Sequence, residues 1–224
     1  MNMKEAEYNK RSFEKKVRTR AVAYLRRAKE AGIPERFMRI GREDFQNLLY
    51  EGYHKDDSLE EMTSLIYDTP KKIFKLPFII IDGGDELSRK KAGFALLFRL
   101  ITCDHTGFYR GCKKLANNLS TWDKTEGVGR NDFVEELKRY DVLFIGEFSR
   151  RVMSSYGDAG CFFDDFLEDR FDNAKPTIIS FSQPIQESNA IDDLVCGKYL
   201  SDLSHKDISD PNPSEDLLRI RVKI

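Results

Sequence analysis

The sequence is poor in the features that mark several common protein classes. Its four cysteines (Cys103, Cys112, Cys161, Cys196) include no Cys-x-x-Cys pair, and its three histidines (His54, His105, His205) stand far apart. Neither set has zinc-site spacing, and a disulfide framework needs denser cysteines, so free thiols in a reducing compartment are expected. No metal site is expected either. The longest apolar runs, around residues 78–81 and 94–97, fall far short of the ~20 residues of a membrane span. The start of the chain is charged from Lys4 onward and lacks the apolar core of a secretion signal. A net charge of −1, from 37 Lys and Arg against 38 Asp and Glu, excludes a uniformly basic nucleic-acid coat. These absences predict a soluble, cytoplasmic protein without a membrane partner.

What is present is enough for a core. The 224 residues, 40% of them hydrophobic, suit one domain with an appendage. Charge is segregated along the chain. Residues 1–42 carry 13 Lys or Arg and 5 Asp or Glu, a net of +8, which leaves −9 for residues 43–224. The break divides the chain into a basic helical extension, 1–42, and an α/β domain, 43–224. Residues 4–31 contain neither Gly nor Pro and should form one helix, stopped by Gly32 and Pro34. Phe13, Val17, Ala21, Tyr24, Leu25 and Ala28 recur at three- and four-residue steps, an apolar stripe on a basic cylinder.

Beyond the extension, helix and strand patterns alternate. A helix is expected over Ser58–Tyr67, with a stop at Pro70. Buried strands are expected at Pro77–Asp82, Asp141–Ile145 and Pro176–Ser180, and a further strand at Gly107–Arg110. Helices are read at Lys90–Ile101, Cys112–Ser120, Phe133–Arg139, Gly160–Phe171 and Ala190–Leu203. In the fourth of these, Phe162, Phe163, Phe166 and Phe171 are expected in the core. Thr121–Asn131 reads as a loop, and the alternation in Leu217–Ile224 as an edge strand. The pattern predicts parallel β-α units in a three-layer α/β sandwich with a mainly parallel sheet.

Ligands on such sheets bind where strands turn into helices. Gly83-Gly-Asp-Glu-Leu-Ser-Arg-Lys90 sits where a phosphate loop, G-x-x-x-x-G-K-[ST], would sit. About sixty residues on, Val-Leu-Phe-Ile-Gly146-Glu147 is similar to the apolar run and acidic pair that hold magnesium in P-loop ATPases. Two further segments, Leu25-Arg-Arg-Ala-Lys-Glu-Ala-Gly-Ile-Pro-Glu-Arg-Phe37 and Arg170-Phe-Asp-Asn-Ala-Lys-Pro-Thr-Ile-Ile179, complete an ordered set. On these four segments the chain resembles the DnaC/IstB-like helicase-loader branch of the AAA+ ATPases. The resemblance spans about residues 20–200 and implies a P-loop NTPase core.

The site residues implied by the resemblance are altered. The nucleotide loop would comprise Gly83, Gly84, Ser88, Arg89 and Lys90, with Ser88, Arg89 and Lys90 in place of glycine, lysine and the magnesium-binding hydroxyl. Serine strains a tight anion-cradling turn, arginine does not replace a point-charged lysine, and an ammonium repels magnesium. Asp85 and Glu86 add two carboxylates where phosphates would lie, each costing about a kcal/mol or more. The magnesium-positioning aspartate is Gly146, and Glu147 is the residual catalytic candidate, in the position that orients water. By family spacing a sensor asparagine falls on Ser182, the arginine finger on Lys198 and a sensor arginine on Leu194. Losing such a finger is worth ~10³–10⁵ in rate. The expectation is a pseudo-ATPase needing no cofactor, with ATP and magnesium bound weakly or not at all.

Two surfaces remain for partners. The extension's stripe and cations (Phe13, Lys16, Val17, Arg20, Tyr24, Arg27) suit a protein groove, which the resemblance identifies with a replicative helicase or another loader. The same cations could instead neutralise phosphates. Lys113, Lys114, Trp122, Lys124 and Arg130 combine charge with a stacking ring, as single-stranded DNA binding requires. The expected function is a DNA-replication accessory protein, from a phage or mobile element, able to form oligomers. The alternatives are an active but divergent ATPase using Arg89 and Glu147, or an IstB-like transposition accessory factor.

Overall fold

A computed structural model of the chain describes residues 3–49, 56–74, 76–120, 130–157, 159–181 and 217–222. Five strands, β1 (Phe78–Gly83), β2 (Gly107–Gly111), β3 (Val142–Phe148), β4 (Thr177–Phe181) and β5 (Leu217–Val222), lie in the order β2-β3-β4-β1-β5. Every neighbouring pair is parallel. β1 is wholly buried, which is why its sequence is a continuous apolar run rather than an alternation.

Helices cover both faces of the sheet. One layer holds the end of α1 (Met3–Glu30), a 3-10 turn at Glu35–Phe37, α2 (Arg42–Gln46), α3 (Asp56–Tyr67), α4 (Pro70–Ile73) and α5 (Glu86–Ile101). Its core joins Phe37, Phe45, Phe94 and Leu97 to Ile79, Ile81 and Phe144 of the strands. The other layer holds α6 (Cys112–Ser120), α7 (Arg130–Arg139), α8 (Arg150–Ser154) and α9 (Ala159–Asp172), packed on Phe78, Ile80, Leu143, Ile145 and Ile179. Strand residues alternate between the layers, as a two-residue period requires. The three-layer α/β sandwich expected from the sequence is therefore observed.

Several boundaries differ from expectation for local reasons. Pro70 opens α4 rather than only ending α3, because a first-turn position needs no backbone N–H. Strand β3 runs on to Phe148 through a register shift between Ile145 and Phe148. Of the four phenylalanines assigned to the core of α9, Phe163 and Phe166 are buried, while Phe162 and Phe171 are half-buried at its margin. The helix expected over Ala190–Leu203 and most of the loop at Thr121–Asn131 lie outside the described residues.

Arg170 is a structural staple. It is fully buried and donates to Thr177 Oγ1 and to the carbonyls of Tyr140, Asp141 and Pro176, tying the starts of β3 and β4 together. Burial pushes its pKa down to about 10, which still leaves it charged at neutral pH.

Among its described side chains, helix α1 is anchored at its end. Ala28, Ala31 and Ile33 are buried, the Tyr109 amide donates to the Ala31 carbonyl at 2.8 Å, and Arg27 pairs with Asp104 at 3.1 Å. Toward its start, Phe13 is 68% exposed and Val17 50%. No described helix is long and apolar enough to cross a membrane.

Candidate functional site

The candidate site lies at the carboxyl ends of β1 and β3, and its first turn is closed by its own residues. Only Gly84 and Asp85 separate β1 from α5. Gly83 and Gly84 take left-handed angles (φ 76° and 52°), which a side chain would strain. Asp85 is the N-cap of α5, and its carboxylate accepts the Ser88 amide at 2.6 Å. That hydrogen bond holds the Asp85 carboxyl below the usual carboxylate range and uses an amide that an anion would need. The helix thus begins four residues before the expected Lys90. Ser88, Arg89 and Lys90 sit in its opening turns instead of in an open loop.

Arg89 turns back into the bend. Its Nη1 donates to the carbonyls of Gly83 at 2.9 Å and Gly84 at 2.7 Å. Its Nε and Nη2 grip the Glu147 carboxylate in a two-pronged pair, at 3.1 and 2.6 Å. The Arg89 side chain is 6% exposed and that of Glu147 20%. A planar guanidinium matches a carboxylate in this way, and the low-dielectric setting strengthens both bonds. The two glycine carbonyls therefore face a cation where a phosphate loop presents N–H groups to an anion.

Glu147 reaches Arg89 because β3 is irregular there. Its own φ is +55°, uncommon for a residue with a side chain, and its amide donates to Ser180 Oγ at 2.9 Å. A local bulge of this kind re-aims a side chain at the end of a strand. The neighbouring Gly146 lies under the Tyr109 ring. A Cβ at position 146 would stand 2.8 Å from Tyr109 Cε2 and 2.9 Å from its hydroxyl. The ring is wedged against Phe94 and Phe144, with centroids 4.6 and 5.0 Å away, and burial raises its phenol pKa. An aspartate at 146 would displace it.

The remaining predicted residues divide. Lys90 pairs with Glu86 on the exposed side of α5, which raises the Lys90 pKa and lowers that of Glu86. The expectation that Glu86 faces the phosphate position is corrected: its carboxylate is held by Lys90. Lys113 and Lys114 are exposed in the first turn of α6, just beyond β2. Arg130 opens α7. Trp122, Lys124, Ser182, Leu194 and Lys198 lie outside the described residues. Lys16 and Arg20 are exposed on α1, and Tyr24 is half-buried near its anchored end. Sequence reasoning missed Tyr109 and Ser180, since their roles depend on strand register. It also missed the closing role of Arg89, for which an arginine six residues after the strand-ending glycine was the available signal.

The donor set does not fit magnesium-bound nucleotide. The bend is filled by Arg89, the Ser88 amide is taken by Asp85, and position 146, which the resemblance gives to a magnesium carboxylate, is a glycine beneath the Tyr109 ring. Among the described residues no group of His, Cys, Asp and Glu is arranged to hold a metal ion.

No protein-family model and no curated protein matches the chain in sequence. Solved structures do match it in shape. The crystal structure of a DNA replication initiation factor superposes with a TM-score of 0.53 at 12% identity, covering 76% of this chain and 48% of that one. AMPPCP-bound DnaA from Aquifex aeolicus gives a TM-score of 0.51 at 14% identity, covering 81% and 50%. The chain shares the three-layer α/β fold of these two structures. It spans about half the length of these two structures. The DnaC helicase loader superposes at 0.47 with 16% identity, over 84% of this chain and 99% of that one. The turn after β1, which the resemblance gives to a phosphate loop, carries an internal ion pair.

Proposed function

We propose that this chain is a DNA-replication accessory protein that uses the AAA+ fold as a scaffold and neither hydrolyses ATP nor depends on binding it. The observation that supports the reading is Arg89, buried in the bend after β1 and paired with Glu147. An enzyme of this fold would need Glu147 free to orient water and the bend free to cradle phosphates. Here each satisfies the other. The likeness to a replication initiation factor and to DnaA supports the process, and the exposed stripe of α1 supports a docking role.

In this reading α1 is the element that engages a protein of the replication machinery, a replicative helicase or another loader-fold subunit. Phe13, Val17 and Tyr24 supply the apolar contact, with Lys16 and Arg20 beside them; Arg27 fixes the root of the helix through Asp104. Lys113 and Lys114 at the start of α6 are offered to single-stranded DNA, with Trp122, Lys124 and Arg130 following in the chain.

Isothermal titration with ATP and magnesium tests the central claim. The expected result is no micromolar binding and no phosphate release. Micromolar affinity accompanied by turnover would overturn it in favour of a divergent ATPase.

A further inference from the structure

We infer that the outer half of α1 docks on the acidic outer face of α9 in a second copy of this chain, building an assembly that needs no nucleotide. The inference rests on the reading of α1 as a docking element and names its occupant. Residues 1–42 are net +8 and the rest of the chain net −9, so each copy carries both halves of a complementary pair. On α1, Lys16 and Arg20 are exposed on the face that carries Phe13 and Val17, at steps of three and four. On α9, Asp165, Glu168 and Asp172 are exposed at steps of three and four, a single row on its solvent side. At 1.5 Å per residue the α1 face from Phe13 to Arg20 and the α9 row each run about 10 Å, so two helices laid together can set two cations against the row of three carboxylates.

The occupant must also cover apolar surface. On that face of α1, Phe13 is 68% exposed and Val17 50%. A phosphate backbone offers them nothing, whereas the α9 face is bordered by half-buried Phe162 and Phe171. Glu136 of the neighbouring α7 is also exposed, while Glu135 is paired with Lys138 at 3.5 Å.

A chain cannot satisfy itself in this way. The root of α1 is anchored in the layer of α5, through Ala28, Ala31 and the Arg27–Asp104 pair, while α9 lies on the opposite face of the sheet. The contact is therefore made between copies, either exchanged reciprocally within a pair or passed on from copy to copy.

Sedimentation velocity of the full chain tests this. At low salt and micromolar concentration the chain should sediment above its monomer mass. ATP with magnesium should not change that, and added salt should dissolve it. Reversing Lys16→Glu with Arg20→Glu, or Asp165→Lys with Glu168→Lys, should each weaken association about tenfold or more. Mixing the two reversed chains should restore it, which misfolded chains would not do. A wild-type chain that stays monomeric at low salt, or reversed chains that fail to associate when mixed, would overturn the inference. If the chain is monomeric while the α1 reversal abolishes capture of a replicative helicase or of oligo-dT, α1 remains a docking element and only the second copy falls. If that reversal changes none of these, the docking role falls with it.

Discussion

The bend after β1 and the outer half of α1 are both rich in charge, and they dispose of it in opposite ways. At the bend, Arg89 is matched by one carboxylate and two carbonyls, Asp85 by an amide, and Lys90 by Glu86. Along α1, Lys15, Lys16, Arg18 and Arg20 stand in solvent beside Phe13 and Val17. A region that answers its own polar groups contributes to folding and offers little to a ligand. A region that leaves them in water contributes little to folding and keeps its binding capacity. The bend is paired within itself, and the extension carries exposed charge and apolar surface.

Breaking the Arg89–Glu147 pair should therefore give the largest effect. Arg89→Ala leaves a mostly buried carboxylate and two glycine carbonyls without their cation, and it should cost about 3–5 kcal/mol in urea unfolding. Replacing both partners, Arg89→Met with Glu147→Leu, should cost much less, because neither charge is then stranded. A loss below about 1 kcal/mol for Arg89→Ala would mean that water already serves the pair, and the bend would be open to ligands after all.

The sequence made the layers legible because buried parallel strands read as apolar runs and the helices between them carry their own period. β1, β3 and β4 lie within one or two residues of expectation at their starts, and α6 and α9 are equally close. The site was legible only as a set of substitutions. That Ser88, Arg89 and Lys90 depart from a phosphate loop is visible residue by residue. That Arg89 reaches Glu147, 58 positions away, depends on β1 and β3 being held near each other across β4 and on a bulge in β3. Tyr109 over Gly146 likewise needs the β2–β3 register, which pairs Gly111 with Gly146. Asp85 read as a repulsive carboxylate because its N-cap role appears only once α5 is known to begin at Glu86.

A smaller effect is expected at that cap. Asp85→Ala removes one hydrogen bond from the first turn of α5 and should cost about 1 kcal/mol. The carboxyl is held below its ordinary range by the Ser88 amide, so its contribution is present above the unfolded carboxylate pKa near 4 and is lost as pH falls through the lowered folded value. Unfolding midpoints measured from neutral to acid pH should fall in the wild type, and the gap between wild type and Asp85→Ala should narrow as they do. A gap that holds constant through the acid range would show that the carboxylate does not cap the helix.

The smallest effect on stability should come from the outer half of α1, and its smallness is what sharpens the contrast. Phe13→Ser and Val17→Ser alter side chains already in water, with no core contact to lose, so unfolding free energy should move by no more than about 0.5 kcal/mol. The same apolar stripe further along behaves differently, since Ala28 has no exposed surface and a larger side chain there would have to push into the core. Capture of the partner by Phe13→Ser should fall while the melting temperature holds. If instead the melting temperature drops by several degrees, α1 is packed against its own domain, and the division between a self-satisfied bend and an open extension does not hold.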